Sequence, residues 1–427
     1  MRHSRRQLTA PTLAVFAAVL TLCASLSICA SLSAAEPYKY QFTSVSENVN
    51  PAAVTISRDE ATPFCPTDWT VRKDRLAGGK QDGVDRITID NGVLRIVVIP
   101  TRGMSIWEVW NGDVRIGWES PVKEIVHPRM VTLSARGGLG WLDGFGELMC
   151  RCGLESNGQP GPDEIVTNTG AIASTDLTLH GKLAYLPAQE VELQVDRDAP
   201  YAIHLRGRVD EHMVHGPKLT LYSELIVVPG ESTFRLVDEV ANESGSESEF
   251  QILYHTNFGT PLLEAGAEFV APIERVTPFN ERAAEGDVHE FATYTGPTAG
   301  YVEQVYLLRL YHDAEGQTIV MLRNASSDRG VSLRYDTTAL PYLTVWKNTT
   351  SQLDGYVTGI EPGTNYPSGR QHEREAGRVP KLGPEERRRF EIEFAIHPSA
   401  ASVTEALTQI QQIQGERATQ YDVEPAE

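Results

Sequence analysis

Short segments that alternate apolar and polar side chains, separated by turn residues, recur along almost the whole chain. They extend from residues 86–89 to residues 389–396, and two neighbouring examples lie at residues 219–228 and 233–240. Alternation with a period of two is typical of β-strands that bury one face, and an Asn91-Gly92 pair between two such segments is a strong hairpin signal. So many segments of this kind predict an all-β fold, a large antiparallel β-sandwich.

The N-terminus has the pattern of an export signal. Arg2, Arg5 and Arg6 precede an apolar stretch at residues 12–32, which ends at the small residues Ser33-Ala34-Ala35. This pattern predicts a signal peptide over residues 1–35 and therefore an exported protein, periplasmic or extracellular. The apolar stretch is nearly long enough to cross a bilayer, so an uncleaved membrane anchor is the less favoured alternative.

The remaining chain divides into three segments. Residues 36–60 are interpreted as an N-terminal lead segment, and residues 61–397 as one large β-sandwich domain because no break in composition divides them. Residues 398–427 are interpreted as a short C-terminal helix followed by a frayed acidic tail. The helix is predicted because apolar residues recur there at helical spacing: Val403, Ala406, Leu407, Ile410 and Ile413.

Charge and cysteine content exclude several classes of protein. The chain has 38 Lys and Arg against 57 Asp and Glu, a formal net charge of -19, and the exported part is more acidic still because the signal segment carries three Arg and no acidic residue. Such a chain would repel nucleic acid and anionic lipid, so neither is expected as a partner after signal cleavage. Cys65, Cys150 and Cys152 are too few for a disulfide framework and are interpreted mainly as small buried residues, with a bridge from Cys65 to one of the others left open.

Three polar clusters interrupt the strand pattern. They are residues 179–182, residues 254–259 and residues 359–364, and they contain His180, His255 and Glu361. Each has an ordinary structural reading, since a histidine at a strand end is often only a hydrogen-bonded structural residue. Together, however, two imidazoles and one carboxylate can supply both an acid and a base near neutral pH.

These clusters carry a resemblance to a known superfamily. In order along the chain, the matching segments are Val98-Ile99-Pro100-Thr101-Arg102-Gly103-Met104, Cys152-Gly153-Leu154, Leu179-His180-Gly181, Tyr254-His255-Thr256-Asn257-Phe258-Gly259 and Gly359-Ile360-Glu361-Pro362. In this order they resemble the aldose 1-epimerase, or galactose mutarotase-like, superfamily, and in particular a divergent bacterial branch that is a domain of unknown function. The resemblance covers roughly residues 85–397. It implies the galactose mutarotase-like supersandwich, a distorted antiparallel β-sandwich whose concave face binds a sugar.

The resemblance also implies an activity and roles for residues. The activity is the interconversion of the α and β anomers of a free aldose, without a cofactor or a metal. Glu361 matches the general base that takes the proton of the anomeric hydroxyl, and His255 matches the general acid that protonates the ring oxygen. His180 matches the histidine that binds the sugar and assists that protonation.

The sequence departs from the superfamily pattern around the substrate. The substrate-binding Asp and the early Asn-Arg pair of the superfamily have no recognisable counterpart, and Asn257 stands where classical members carry an aromatic residue. We therefore take Arg102 as a candidate for holding a hydroxyl or a carboxylate, and Asn257 as a candidate sugar contact. Trp141 and Trp346 are candidates for stacking on an apolar sugar face.

Two further functions stay open beside the epimerase. One is a non-catalytic carbohydrate-binding protein on the same sandwich, holding a small sugar or an oligosaccharide. The other is an isomerase or lyase that acts on an oxidised or acidic sugar, with a metal held by His180, His255 and Glu361. The acidic surface suits a neutral sugar, and an acidic one would need a local cation such as Arg102.

Overall fold

The alternating segments of the sequence form the strands of two large sheets. The computed structural model describes residues 35–426 of the 427-residue chain. Within these residues the strands are β1 (Tyr38–Ser44), β2 (Ala53–Ser57), β3 (Thr70–Arg75), β4 (Asp85–Asp90), β5 (Leu94–Ile99), β6 (Ser105–Asn111), β7 (Val114–Ile116), β8 (Met149–Leu154), β9 (Gly161–Val166), β10 (Ile172–Leu177), β11 (Glu190–Val195), β12 (Ile203–His212), β13 (Lys218–Val227), β14 (Thr233–Asn242), β15 (Ser248–Glu249), β16 (Gln251–Phe258), β17 (Glu268–Val270), β18 (Ile273–Pro278), β19 (Gln304–Leu310), β20 (Gln317–Arg323), β21 (Gly330–Asp336), β22 (Tyr342–Asn348), β23 (Val357–Gly363), β24 (Lys381–Leu382), β25 (Arg387–His397) and β26 (Gln420–Tyr421).

Helices are short and peripheral in the described residues. The α-helices are α1 (Arg58–Ala61), α2 (Ala135–Gly138), α3 (Glu281–Ala284), α4 (Arg370–Glu375) and α5 (Ala400–Gln414). Single 3₁₀ turns lie at Gly79–Gln81, Pro100–Arg102, Pro128–Met130, Gly140–Gly144, Leu183–Tyr185, Val288–Glu290 and Gln352–Asp354. The helix predicted near the C-terminus is α5, which packs Val403, Ala406 and Ile410 against β20.

Two sheets make up the sandwich. The smaller has nine strands in the order β1-β11-β12-β13-β14-β25-β21-β20-β17. The larger has thirteen strands in the order β2-β3-β4-β5-β6-β8-β16-β23-β22-β19-β18-β26, with β7 paired to β6. Neighbours are antiparallel except for β18 and β26, which are parallel. The predicted all-β antiparallel sandwich is therefore confirmed.

The core lies between the two sheets and is built from one side of each strand. On β16, for example, Ile252, Tyr254 and Phe258 belong to this core, whereas Leu253 belongs to a separate apolar cluster on the other side of the sheet. Successive side chains of a strand point to opposite faces, so the residues between the core positions must face away from the smaller sheet. We call this face of the thirteen-stranded sheet the outer face.

A buried polar network joins the two sheets directly beneath the outer face. Arg151 of β8 donates hydrogen bonds to Asp238 of β14 (3.0 Å) and to Ser223 of β13 (2.7 Å), and Tyr254 of β16 donates to the same Asp238 (3.0 Å). The Arg151 and Asp238 side chains are fully buried. Because each charge is paired and hydrogen-bonded, the network fixes β8 and β16 relative to the smaller sheet.

The structure differs from the sequence-based segment boundaries at both ends. Residues 36–60 do not precede the sandwich, because β1 pairs with β11 in the smaller sheet and β2 pairs with β3 in the larger one. At the other end, Gln420 and Tyr421 pair with β18 and α5 covers β20, so the tail is not frayed there. The apolar side chains of these segments complete faces that the central strands alone would leave exposed.

The predicted signal peptide lies, apart from Ala35, outside the described residues, so that prediction stays a prediction. Among the helices of residues 35–426, none combines the length and the apolar character needed to cross a membrane. The cysteines of this range, Cys65, Cys150 and Cys152, are all buried and free. Burial raises the pKa of the Cys150 and Cys152 thiols, which makes both poor nucleophiles.

Candidate active site

Sheet register brings the predicted catalytic residues together on the outer face. Strands β8, β16, β23 and β22 are neighbours in the larger sheet. Cys150 pairs with His255, and Glu361 pairs with Thr344. Between β16 and β23 the pairs Leu253 with Gly363 and Thr256 with Ile360 share one register, which places His255 across from Glu361. His255 Nε2 and Glu361 Oε1 lie 3.2 Å apart.

Pro362 interrupts the sheet beside this pair. It lies within β23, although a proline after Glu361 would ordinarily end a strand. Proline has no N–H to donate, and the β16–β23 ladder accordingly lacks pairs for residues 254 and 255 of β16. The His255–Glu361 pair therefore occupies the interruption in the ladder.

Gly359 leaves room for the Glu361 carboxylate. The two residues are two positions apart on β23 and so share the outer face. A Cβ at residue 359 would approach Glu361 Oε1 well inside 3.0 Å, a separation that real Cβ atoms essentially never show, and would lie 3.3 Å from the Trp346 Cβ. The glycine of this motif thus has a steric function in the site.

His180 reaches the same place from a tight turn. Its backbone is left-handed, with φ of 56°, and its N–H and C=O are bonded to Gly158 and Gly153. Gly181 follows at φ of 71°, where any Cβ would overlap the carbonyl oxygen of Ser156. The Leu-His-Gly motif is therefore a turn that needs glycine, and it holds the His180 ring 5.2 Å from the His255 ring, edge to face.

These three residues line one cleft of about 460 Å³ on the outer face. Its other lining residues are Leu139, Trp141, Leu142, Phe145, Gln159, Pro160, Leu179, Phe279, Asn280, Glu303, Val305, Thr344, Trp346 and Pro367. Most are apolar or aromatic, with a few polar groups among them, which is the usual composition of a small-molecule site. The volume is also within the range of such sites.

Burial shifts both His255 and Glu361 toward their neutral forms. The pKa of Glu361 is well above its usual value because the carboxyl is buried and because Glu303 is close by. The pKa of His255 is well below its usual value because the ring is buried and faces His180, while a contact with the Asn257 amide acts in the opposite direction. With the Glu361 carboxyl protonated and the His255 ring unprotonated, the pair carries no net charge.

His180 is neutral as well. Burial lowers its pKa to about 4, and its Nδ1 lies 2.9 Å from the carbonyl oxygen of Asn157. Only a protonated Nδ1 can donate to that oxygen, so Nε2 carries a lone pair and accepts hydrogen bonds. This tautomer suits contact with a sugar hydroxyl.

The prediction that Arg102 contacts the substrate needs correction. Its side chain is fully buried and does not line the cleft. Arg102 donates to Glu147 (2.7 Å), to the Val126 carbonyl (2.9 Å) and to the Gly144 carbonyl (3.1 Å), so its hydrogen-bonding capacity is used within the protein. Arg102 anchors the loop that carries Phe145 into the cleft wall.

Asn257 also lies behind the cleft. It is buried, is absent from the cleft lining, and donates to the carbonyl oxygens of Glu147 (3.0 Å) and His255 (3.3 Å). The residue therefore braces the His255 segment, and the prediction of a direct sugar contact is corrected.

Trp141 and Trp346 line the cleft, and their stacking on a sugar stays a prediction. The Trp141 ring lies 4.7 Å from the His180 ring, and the Trp346 ring lies 5.5 Å from the His255 ring. Phe145, which the sequence analysis missed, packs between them at 4.5 Å from Trp141 and 6.2 Å from Trp346. The three aromatic rings form a wall beside the two histidines.

The sequence analysis also missed Glu303 and Thr344. Glu303 directly precedes β19 and accepts a hydrogen bond from Trp346 Nε1 (2.7 Å), which places its carboxylate on the cleft. Thr344 stands beside Glu361 through the β22–β23 pairing. Thr344 lies two positions before Trp346 on an alternating strand, so the two side chains share one face, and this spacing could have indicated a cleft residue. Glu303 lies in a loop, where no sequence pattern indicates a site.

The charged groups of the cleft are carboxyl groups and histidines. Of the described residues that line it, Glu303 and Glu361 are acidic and none is Lys or Arg. Within residues 35–426 no group of three or more His, Cys, Asp or Glu side chains is arranged to hold a metal ion. The donor set that a metal-dependent isomerase or lyase would need is therefore not assembled by these side chains.

Known proteins share this architecture. A family described as a domain of unknown function, DUF4432, matches residues 81–396. A candidate aldose 1-epimerase from Klebsiella pneumoniae is 37% identical, covers 92% of this chain and 99% of its own, and has a TM-score of 0.86. No functionally curated protein matches this sequence.

More distant solved structures share the fold. A galactose mutarotase-like protein from Clostridium acetobutylicum is 15% identical, with a TM-score of 0.52 over 76% of this chain and 98% of its own. A candidate aldose 1-epimerase from Escherichia coli K12 is 14% identical, with a TM-score of 0.50 over 74% of this chain and 99% of its own. The chain belongs to the DUF4432 family, a divergent branch of proteins with the aldose 1-epimerase, or galactose mutarotase-like, fold.

Proposed function

We propose that the protein is an exported aldose 1-epimerase that interconverts the anomers of a neutral sugar. The observation that carries this proposal is the 3.2 Å approach of His255 Nε2 to Glu361 Oε1 in a cleft that also contains His180. Export is supported by the N-terminal sequence alone.

The proposed reaction needs one proton acceptor and one proton donor at the same time. The acceptor takes the proton of the anomeric hydroxyl, and the donor protonates the ring oxygen, so the ring opens to the aldehyde. Rotation about the bond between the first two carbons, followed by the reverse transfers, gives the other anomer. Each transfer of this kind contributes roughly 10² to 10⁴-fold to the rate.

The shifted pKa values of the pair suit this requirement. Transfer of the Glu361 proton to His255, 3.2 Å away, would leave Glu361 as the proton acceptor and His255 as the proton donor. Moving that proton between them creates no net charge in the buried cleft, so the roles of acid and base can exchange in the reverse reaction. His180 binds through its unprotonated Nε2 and accepts from a sugar hydroxyl.

The charge of the cleft favours a neutral sugar. An anionic sugar would face the carboxyl group of Glu303 without a compensating Lys or Arg among the described lining residues. The neutral hydroxyls of an aldose can instead donate to the Glu303 carboxylate. Trp141, Phe145 and Trp346 offer aromatic surface to the apolar face of the ring. The alternative of an acidic or oxidised sugar is therefore less well supported.

Anomer exchange of neutral aldoses, measured by NMR magnetisation transfer or polarimetry, tests the proposal. We expect the wild-type protein to accelerate the exchange of at least one neutral aldose and Glu361→Gln to lose that acceleration by at least about 10²-fold. Glu315→Gln, in an exposed turn between β19 and β20, is the matched control and should retain the full rate.

Two results would count against the proposal. If the wild-type protein accelerates no neutral aldose, the epimerase assignment fails. If calorimetry then detects sugar binding that survives substitution of both histidines, the non-catalytic carbohydrate-binding alternative takes its place.

A further inference from the structure

Thr344 has an unusual environment for a buried threonine. It is 1% exposed, and its Oγ1 has no hydrogen-bond partner among the described residues. Thr358 on β23 provides a contrast. Its Oγ1 donates to the Trp346 carbonyl (2.7 Å) and lies 2.8 Å from the Tyr294 hydroxyl. A buried hydroxyl without a partner destabilises a folded protein, and valine would fill the same space without that cost.

The position of Thr344 explains what its hydroxyl can reach. Thr344 is paired with Glu361 on the adjacent strand and lines the cleft. Directly paired residues of antiparallel strands have Cβ atoms about 4.5–5.5 Å apart, on the same face of the sheet. The hydroxyl therefore lies beside the carboxylate and not behind it.

Other polar atoms around Thr344 also lack partners. Among the described residues, Trp141 Nε1 is buried without a hydrogen bond, and Glu361 Oε1 has only the His255 ring beside it, 3.2 Å away; both Trp141 and Glu361 line the same cleft. Buried polar atoms in folded proteins are almost always hydrogen-bonded, so several orphaned atoms in one cleft indicate a ligand that supplies the missing partners.

We infer that Thr344 binds the hydroxyl on the sugar carbon next to the anomeric carbon, and so selects substrates that carry this 2-hydroxyl. The inference rests on the proposed function, since it uses the position of Glu361 at the anomeric hydroxyl. The strand order β16-β23-β22 places His255 and Thr344 on opposite sides of Glu361. With Glu361 at the anomeric hydroxyl and His255 at the ring oxygen, Thr344 faces the other neighbour of the anomeric carbon, which is the second carbon. Thr344 positions the sugar and takes no part in the proton transfers.

The test compares an aldose with its 2-deoxy form. Anomer exchange of D-glucose and D-galactose, each beside its 2-deoxy counterpart, is measured with the wild-type protein, Thr344→Val and Thr344→Ser. The preference is the ratio of kcat/KM for the 2-hydroxy sugar to kcat/KM for its 2-deoxy form. We expect this ratio to be about 3- to 10-fold larger for the wild type than for Thr344→Val, which is the effect of one hydrogen bond. Thr344→Val should lower kcat/KM for the 2-hydroxy sugar alone, mainly through KM, and Thr344→Ser should restore the preference.

Thermal unfolding provides a second readout. Because the Thr344 hydroxyl has no partner in the protein, Thr344→Val should unfold at or above the wild-type temperature, whereas Thr358→Val, which removes a bonded hydroxyl, should unfold below it. A loss in Thr344→Val as large as that in Thr358→Val would show that the hydroxyl is already bonded inside the protein and would overturn the inference.

The kinetic outcomes separate the two proposals. If the wild type accelerates exchange but Thr344→Val keeps the same preference for the 2-hydroxy sugar, the inference fails and the epimerase function stands. If Thr344→Val slows the 2-hydroxy and 2-deoxy sugars equally, the hydroxyl acts elsewhere and the inference is also wrong. If the wild type accelerates another neutral aldose but neither of these two, the same comparison is made with that aldose and its 2-deoxy form; if it accelerates no neutral aldose, the proposed function fails and the inference falls with it.

Discussion

Replacing Gly359 by alanine should move the Glu361 carboxylate, the proposed proton acceptor, without disturbing the fold. The new Cβ would approach Glu361 Oε1 well inside 3.0 Å, and Trp346 on the adjacent strand, 3.3 Å away, prevents the Cβ from shifting aside. The carboxylate is the flexible end of its side chain, so it must swing away by about 1 Å, and misplacement of a reacting group by that distance can reduce the rate about 10²-fold.

The same geometry predicts a small effect on stability. Gly359 lies inside β23 and does not have the positive φ that would require glycine, so the backbone accepts alanine. Alanine also has less conformational freedom to lose on folding than glycine, and the free energy of unfolding should change by less than about 1 kcal/mol. A large loss of activity with little loss of stability is the expected signature.

Anomer exchange by NMR and urea denaturation measure the two quantities. We expect kcat/KM of Gly359→Ala to fall about 10²-fold. Gly161→Ala is the matched control, because Gly161 also lies in a strand and a Cβ there meets nothing within 4 Å. In a Glu361→Gln background the Gly359→Ala change should cost nothing further, since both substitutions act on the same carboxylate. A folded Gly359→Ala protein with the wild-type exchange rate would refute the claim that the rate depends on where the Glu361 carboxylate lies.

Two further predictions concern buried charge. Arg102→Leu should lower the free energy of unfolding in urea by about 3–5 kcal/mol, because Glu147 would be left buried without its cation. The folded variant should keep the wild-type KM, since Arg102 does not line the cleft. A raised KM with unchanged stability would contradict this prediction. Burial lowers the pKa of His180 from 6.5 to about 4. The part of the free energy of unfolding that depends on a neutral His180, about 3 kcal/mol, is therefore fully present above pH 6.5 and is lost as the pH falls toward 4. His180→Asn, which tolerates the left-handed backbone, should remove this part of the pH dependence in denaturation curves, and an unchanged curve would show that His180 is not buried as a neutral group.

Much of the fold was predictable because its signal is local. The alternation at residues 219–228 and 233–240 became β13 and β14, and the helical spacing of Val403, Ala406 and Ile410 became α5. Strand β23 was harder, since Pro362 suggested a strand end and only the interrupted pairing with β16 accommodates it. The ends of the domain were also missed, because β2 and β26 are short strands that depend on their partners.

The site was partly predictable for a similar reason. His180, His255 and Glu361 lie in motifs whose glycines and strand positions can be recognised in the sequence, and the structure brings them to one cleft. Arg102 lies in an equally suggestive motif but donates to Glu147, 45 positions along the chain. Nothing local distinguishes an arginine that faces a ligand from one that anchors a loop.

The sequence by itself determined the strand pattern, the turn that holds His180 and the types of group available for catalysis, because these depend on residues close together in the chain. Only the tertiary structure decided that His255 and Glu361 approach to 3.2 Å, that Glu303 and Thr344 join them, and that Arg102 does not. These outcomes depend on the register between strands and on burial beneath a distant loop. The free energies that shift the pKa values of Glu361 and His255 come from the same burial, which local sequence does not encode.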